Sequence, residues 1–134
     1  MESITLVKDA IHRPEEPRHF MQYKFPDNRY VASQKGQTLA NSRYALLLSE
    51  VGYAIYDPVV YFPLEDVSSD LLVQIDKTTY CPLKGNTAYF NLNEAKDDSG
   101  KEIAWSYANP LPFAEKLQNY MAFDVRKVKI DVID

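Results

Sequence analysis

With one cysteine in 134 residues, the sequence excludes an intramolecular disulfide framework and any Cys-x-x-Cys metal knuckle. Glycine is scarce. Gly36, Gly52, Gly85 and Gly100 are each isolated, so no glycine-rich loop is present to cradle a phosphate. Two histidines, His12 and His19, stand in or beside a proline-bearing stretch, and there is no His-x-x-x-His pair and no calcium-loop spacing. No metal and no cofactor are therefore expected from motifs, although a Mg²⁺ held by Glu50 or Asp66 with a substrate phosphate stays open. Cations are outnumbered: 15 Lys plus Arg face 19 Asp plus Glu, a formal net charge of −4. That is the wrong sign for a phosphate backbone, so nucleic acid is not expected as a partner. No apolar run approaches the roughly 18 residues that cross a bilayer. The opening Met1-Glu2-Ser3-Ile4 also lacks the basic-then-apolar pattern of a signal peptide. A soluble, cytoplasmic protein with no membrane partner is the expectation.

What is present is β signal. Length and a hydrophobic share of 46% suit one domain, which buries roughly two-thirds of its unfolded surface without staples. Residues 1–18 end in His12-Arg13-Pro14-Glu15-Glu16-Pro17-Arg18, where prolines and alternating charge discourage helix and central strand. They read as an N-terminal arm, either frayed or laid along the domain edge through Ile4, Leu6, Val7 and Ile11, with residues 19–134 as the single domain. Tyr30–Ser33, Gln37–Ala40 and Tyr44–Leu48 are separated by turn-forming Lys35-Gly36 and Asn41-Ser42-Arg43 and read as a meander. Val59–Phe62 is a fourth strand closed by Pro63. Residues 65–72 read as one or two helical turns, and 113–120, with apolar residues at 113, 114, 117 and 120, as the best helix. Runs at 78–81, 87–92 and 102–107 read as a second sheet, and 121–125 with 128–132 as a final strand or pair. The fold class expected is mainly β, two small antiparallel sheets with one or two short helices.

Four polar side chains stand out as catalytic candidates. Cys81 precedes Lys84 by three residues across a turn, and a nearby ammonium favours the nucleophilic thiolate. The competing reading is a small core hydrophobe at a strand end, and the histidines in or beside the arm make a Cys/His pair doubtful. No resolving cysteine is present in the chain to support a redox role. Glu50 ends an apolar strand and Asp66 follows Pro63; each carboxylate suits a general base, and Asp66 equally suits a helix cap. Ten tyrosines, six phenylalanines and one tryptophan exceed what a small core uses. Tyr61, Phe62, Tyr80, Tyr89, Trp105 and Tyr107 all fall on expected strands, and those that alternate outward can line a pocket.

The blocks Ala40–Glu50, Tyr61-Phe62-Pro63-Leu64-Glu65-Asp66-Val67, Thr79-Tyr80-Cys81-Pro82-Leu83-Lys84-Gly85, Ala104-Trp105-Ser106-Tyr107 with Pro110, and Tyr120–Phe123 resemble, in order, the motifs of domain-of-unknown-function family 427. The resemblance spans about residues 28–133. It departs from the family at Leu83, where an aromatic is usual, and in a long insert at 93–101. The resemblance implies a β-tent fold, with two antiparallel sheets leaning together, and a nucleotidyltransferase-like label. Its motif positions fall here on Glu50, Tyr61, Asp66, Cys81, Lys84, Trp105 and Tyr107.

Two readings of function follow, and whether the protein is an enzyme stays open between them. One is a pocket for a small molecule, a nucleotide or another anion, with group-transfer or hydrolytic activity. In it Glu50, Asp66, Cys81 and Lys84 carry the chemistry and Tyr61, Trp105 and Tyr107 bind the ligand. The alternative is a non-catalytic module for a ligand or protein, including a homodimer paired through an exposed strand.

Overall fold

The apolar and alternating runs become strands, and their partners differ from those that chain order suggests. The computed structural model describes residues 7–133. Its strands are β1 (Ile11–Arg13), β2 (Glu16–Lys24), β3 (Arg29–Gln34), β4 (Gln37–Ser42), β5 (Leu46–Val51), β6 (Val59–Pro63), β7 (Leu72–Cys81), β8 (Gly85–Leu92), β9 (Ala104–Ser106), β10 (Tyr120–Phe123) and β11 (Lys129–Ile133). They form an eight-stranded sheet in the order β1-β2-β5-β6-β10-β9-β8-β7 and a three-stranded sheet in the order β11-β3-β4. The described pairings are antiparallel. No helix among the described residues is long and apolar enough to cross a membrane.

The mainly β class and the two antiparallel sheets hold, but several placements change. β3 and β4 pair through Lys35 and Gly36, both at positive φ (51° and 79°), the conformation a two-residue hairpin turn requires. The expected meander stops there, because β5 crosses to the other sheet and pairs with β2 and β6. β7, β8, β9 and β10 extend that same large sheet instead of making a second one, and β11 turns back to pair with β3. The helix expected at 113–120 is a six-residue 3₁₀ segment, Pro112–Leu117, broken at Ala114 (φ −116°, ψ 22°). It is too short to nucleate an α-helix; its apolar spacing serves instead to bury Ala114 and Leu117. Residues 65–72 form two single 3₁₀ turns, Leu64–Asp66 and Ser69–Leu71, neither with a side-chain cap.

Of the arm expected either to fray or to lie along the domain edge, Ile11–Arg13 forms the edge strand of the large sheet and Glu16 onward its neighbour, with a turn at Pro14 and Glu15. Ile11 pairs with Met21 and His12 with Phe20, then a bulge pairs Arg13 with Glu16. Pro17 falls inside that bulge, where the ladder does not call for its missing N–H. Ile4 and Leu6, offered as edge contacts, lie outside the described residues.

Period-two alternation divides the large sheet between two cores. Phe62, Ala104, Met121 and Phe123 point to the small sheet and pack with Tyr30, Leu39 and Val128. Within this core the Phe62 and Phe123 rings meet edge to face, centroids 5.7 Å apart. On the opposite face Met21, Leu46, Leu48, Tyr61, Tyr107 and Ala122 pack under Leu83, Ala114 and Leu117. These loops cover only part of that face.

Candidate functional site

Residues opposite one another in a ladder share a face, so the register alone assembles the site. Met21 faces Glu50, Leu48 faces Val59, Tyr61 faces Ala122, Ala122 faces Trp105, Trp105 faces Tyr89 and Thr87 faces Thr79. His19, two residues before Met21, and Cys81, two after Thr79, extend the same face at its two sides. Strand twist brings these sides together over the sheet, and a cleft of about 580 Å³ opens between them. Glu50, Tyr61, Cys81, Lys84, Trp105 and Tyr107 all line it. A second cleft of about 750 Å³, lined by His19, Tyr53 and Tyr56, shares Glu50, Val59, Tyr80, Cys81 and Lys84 with the first.

The corner common to both clefts is ionic. Lys84, buried at the turn after β7, donates to Glu50 Oε1, and His19 Nε2 lies 2.7 Å from Glu50 Oε2. The turn that carries Lys84 is held by Gly85, whose φ of +107° suits glycine and whose Cβ would meet Leu111 N at 3.2 Å. Leu111 N–H in turn donates to the Lys84 carbonyl at 3.0 Å. Burial pulls the Glu50 carboxyl up, but Lys84 and His19 outweigh it and hold it below the ordinary carboxylate value. Burial likewise pulls Lys84 down, and Tyr107 and Glu50 carry it above the ordinary lysine value. Both groups stay charged across the neutral range. The sulfur of Cys81 joins this corner: a donor atom each of His19, Glu50 and Cys81 lie within 4.8 Å of one another.

Aromatic walls extend from the corner. Trp105 Nε1 donates to Tyr61 Oη at 3.2 Å, with the rings edge to face at 6.5 Å. Burial pushes the Tyr61 phenol well above its usual value, with Tyr107 adding to it, so Tyr61 is neutral. Tyr107 is raised too, by burial, against the pull of Lys84, whose Nζ stands 5.9 Å from its ring centroid. At the far end Lys77 pairs with Glu102 and stands 4.8 Å over the Tyr89 ring, and Arg126 grips Asp124 with two bonds of 2.8 and 3.0 Å. Among the described lining residues, Lys77, Lys84, Arg126 and Lys127 face three carboxylates, Glu50, Glu102 and Asp124. The cleft is thus one charge positive in an acidic chain.

Asp66 is elsewhere. It lines neither cleft and caps no helix; its Oδ2 accepts the Ser42 hydroxyl at 2.5 Å, and Ser42 Oγ accepts the Tyr44 N–H at 2.9 Å. It fastens the crossover between the two sheets. Asp66→Ala leaves the buried Ser42 hydroxyl without its acceptor and is expected to lower stability by about 1–2 kcal/mol. A denaturation curve reads that loss, and Trp105 fluorescence in the folded state stays unchanged.

His19 is the residue that sequence reasoning set aside. The Pro-rich surroundings hid it, yet the alternation His19-Met21-Tyr23 is a strand signal that ran through the supposed boundary. Phe62, counted among the aromatics of the region, points into the opposite core instead. The basic far end carries no motif, because Lys77 comes from β7 and Arg126 and Lys127 from the turn between β10 and β11.

A family model described as Domain of unknown function (DUF427) matches residues 24–134, nearly the whole chain. The chain belongs to this family. The match begins within β2, so the DUF427 segment supplies Glu50, Cys81, Lys84 and the aromatic walls, while His19 lies just ahead of it. No curated protein matches the chain.

Proposed function

We propose that the cleft binds a small molecule combining a planar ring with an anionic group, and that group transfer or hydrolysis takes place on it beside Glu50 and Cys81. One observation carries the reading: the sequence-expected polar and aromatic residues, apart from Asp66 and Phe62, line a single concave site with a net positive lining. Tyr89 and Trp105, both half-buried, offer ring faces and edges for stacking over the buried Tyr61, and Arg126, Lys127 and Lys77 attract the anion. Lys84, charged throughout the neutral range, stabilises negative charge that develops near Cys81.

Trp105 is the only tryptophan, so its fluorescence reports this cleft and nothing else. Titration with adenosine 5′-monophosphate, adenosine and pyrophosphate separates ring from anion. The monophosphate is expected to alter the emission with a Kd below about 1 mM, and Arg126→Ala to weaken it about tenfold. Adenosine and pyrophosphate bind more weakly than the monophosphate. An emission unchanged by all three at millimolar concentration overturns the reading.

A second reading, binding without turnover, draws on the ion pair itself. Glu50 is held ionised by two partners and is a weak proton acceptor, which suits a fixed anchor better than a general base. Chromatographic recovery of the bound ligand unchanged selects it; ligand consumption abolished in Cys81→Ser selects the enzyme.

A further inference from the structure

We infer that His19, Glu50 and Cys81 form a binding site for a divalent transition-metal ion of the zinc type. The three residues are 31 positions apart in each step and match no metal motif, which is why spacing alone excluded them. Only the sheet joins them: His19 comes from β2, Glu50 from β5 and Cys81 from the end of β7, at the corner shared by both clefts. Their donor atoms lie within 4.8 Å of one another, close enough to converge on one ion with bonds of about 2.0–2.3 Å after small side-chain rotations.

The chemistry of the donor set is selective. One imidazole nitrogen, one carboxylate oxygen and one thiolate sulfur suit zinc and its neighbours, and disfavour magnesium and calcium, which take oxygen alone. Three protein ligands with a fourth position turned toward a cleft is the arrangement of catalytic zinc, in which the open position takes water or substrate. The surroundings also orient the ligands. Lys84 holds Glu50 Oε1 and leaves Oε2 to the ion, and the His19 ring fills the space beside Gly52, where an added Cβ would stand 3.4 Å from Cδ2. Binding replaces the contact between His19 Nε2 and Glu50 Oε2 with two coordination bonds. Coordination needs His19 Nε2 free of a proton and Cys81 as the thiolate, so protons held at those atoms leave to Nδ1 or to solvent, and no electrons are transferred.

This inference goes beyond the cleft reading and does not rest on it. The test uses the full chain, stripped with a chelator and titrated with Co²⁺, then Zn²⁺. A thiolate-to-cobalt charge-transfer band saturating at one equivalent and bleached by Zn²⁺ is the expected result. Cys81→Ser removes the band and weakens Zn²⁺ binding at least a hundredfold; His19→Gln weakens it at least tenfold. Asp66→Asn, outside the site, leaves both intact. Because a variant can lose its fold, thermal unfolding is followed in parallel: Zn²⁺ raises the midpoint of the wild type and leaves that of folded Cys81→Ser in place. Absence of the band in the wild type, or equal Zn²⁺ affinity in Cys81→Ser, overturns the assignment. If adenosine 5′-monophosphate still alters Trp105 emission while cobalt gives no band, the metal site falls and the cleft reading stands.

Discussion

Lys84→Met is expected to destabilise the protein by about 3 kcal/mol, lowering the thermal midpoint by roughly 10 °C. The side chain is 10% exposed and its partner Glu50 16%, so removing the ammonium leaves a carboxylate largely out of water with His19 as its remaining partner. Pairing the change with Glu50→Gln removes that uncompensated charge, and the double variant is expected to recover more than half of the loss. The direction with pH follows from both shifts. Glu50 is depressed below its ordinary 4.5, so its contribution is present above that value and disappears as pH falls through the folded-state value. Lys84 is raised above its ordinary 10.5, so its contribution is present below that value and disappears as pH rises further. The pair therefore stabilises across the whole neutral range. Denaturation of wild type and Lys84→Met at about pH 7 and about pH 4 checks this: the gap narrows at acid pH, where the stranded Glu50 takes up a proton. A gap equal at both pH values means that Lys84 acts through packing and not through charge.

Phe62→Ala is expected to cost more, about 4 kcal/mol, because it empties the centre of the core between the sheets. Phe62 is fully buried and loses its edge-to-face contact with Phe123 as well as its burial. The urea midpoint is expected to fall by about 2 M. Trp105 emission and ligand response in the remaining folded protein are expected to stay as they were. Phe62 and Tyr61 are adjacent in β6 and point to opposite faces, so a cavity on one side leaves the cleft on the other intact. Loss of ligand response at a urea concentration where the variant is still folded contradicts this separation of faces.

Much of the site was readable in the chain because it lies at the ends of strands with clear alternation. Tyr61 sits beside Phe62 and Trp105 beside Ala104, both buried in the other core, Tyr107 follows two residues after Trp105, and the Pro82 to Gly85 turn marks where Cys81 and Lys84 leave the sheet. Asp66 stands out in the sequence for its place after Pro63, but proximity to a conspicuous block is not proximity to a cleft; its hydroxyl partner, Ser42, is 24 residues earlier. His19 is inconspicuous in the sequence for the converse reason. The prolines and charges around it describe a bulged edge, not an absent strand.

The sequence by itself determined the class of the fold, the faces of the strands and the identity of most groups that line the cleft. These depend on local properties: β-branched and aromatic content, period-two alternation, and turn residues such as Lys35 and Gly36. Which strands pair was decided only in three dimensions. β5 abandons its neighbour β4 for β2 and β6, and the helix expected at 113–120 is a covering 3₁₀ segment over Pro112–Leu117, with Tyr120 already in β10, because burial of both faces of one large sheet outweighs local preference. That same pairing brings His19, Glu50 and Cys81, separated by long stretches of chain, within a few ångströms of one another. Strand order is a property of the packed sheet, and no residue's local neighbours carry it.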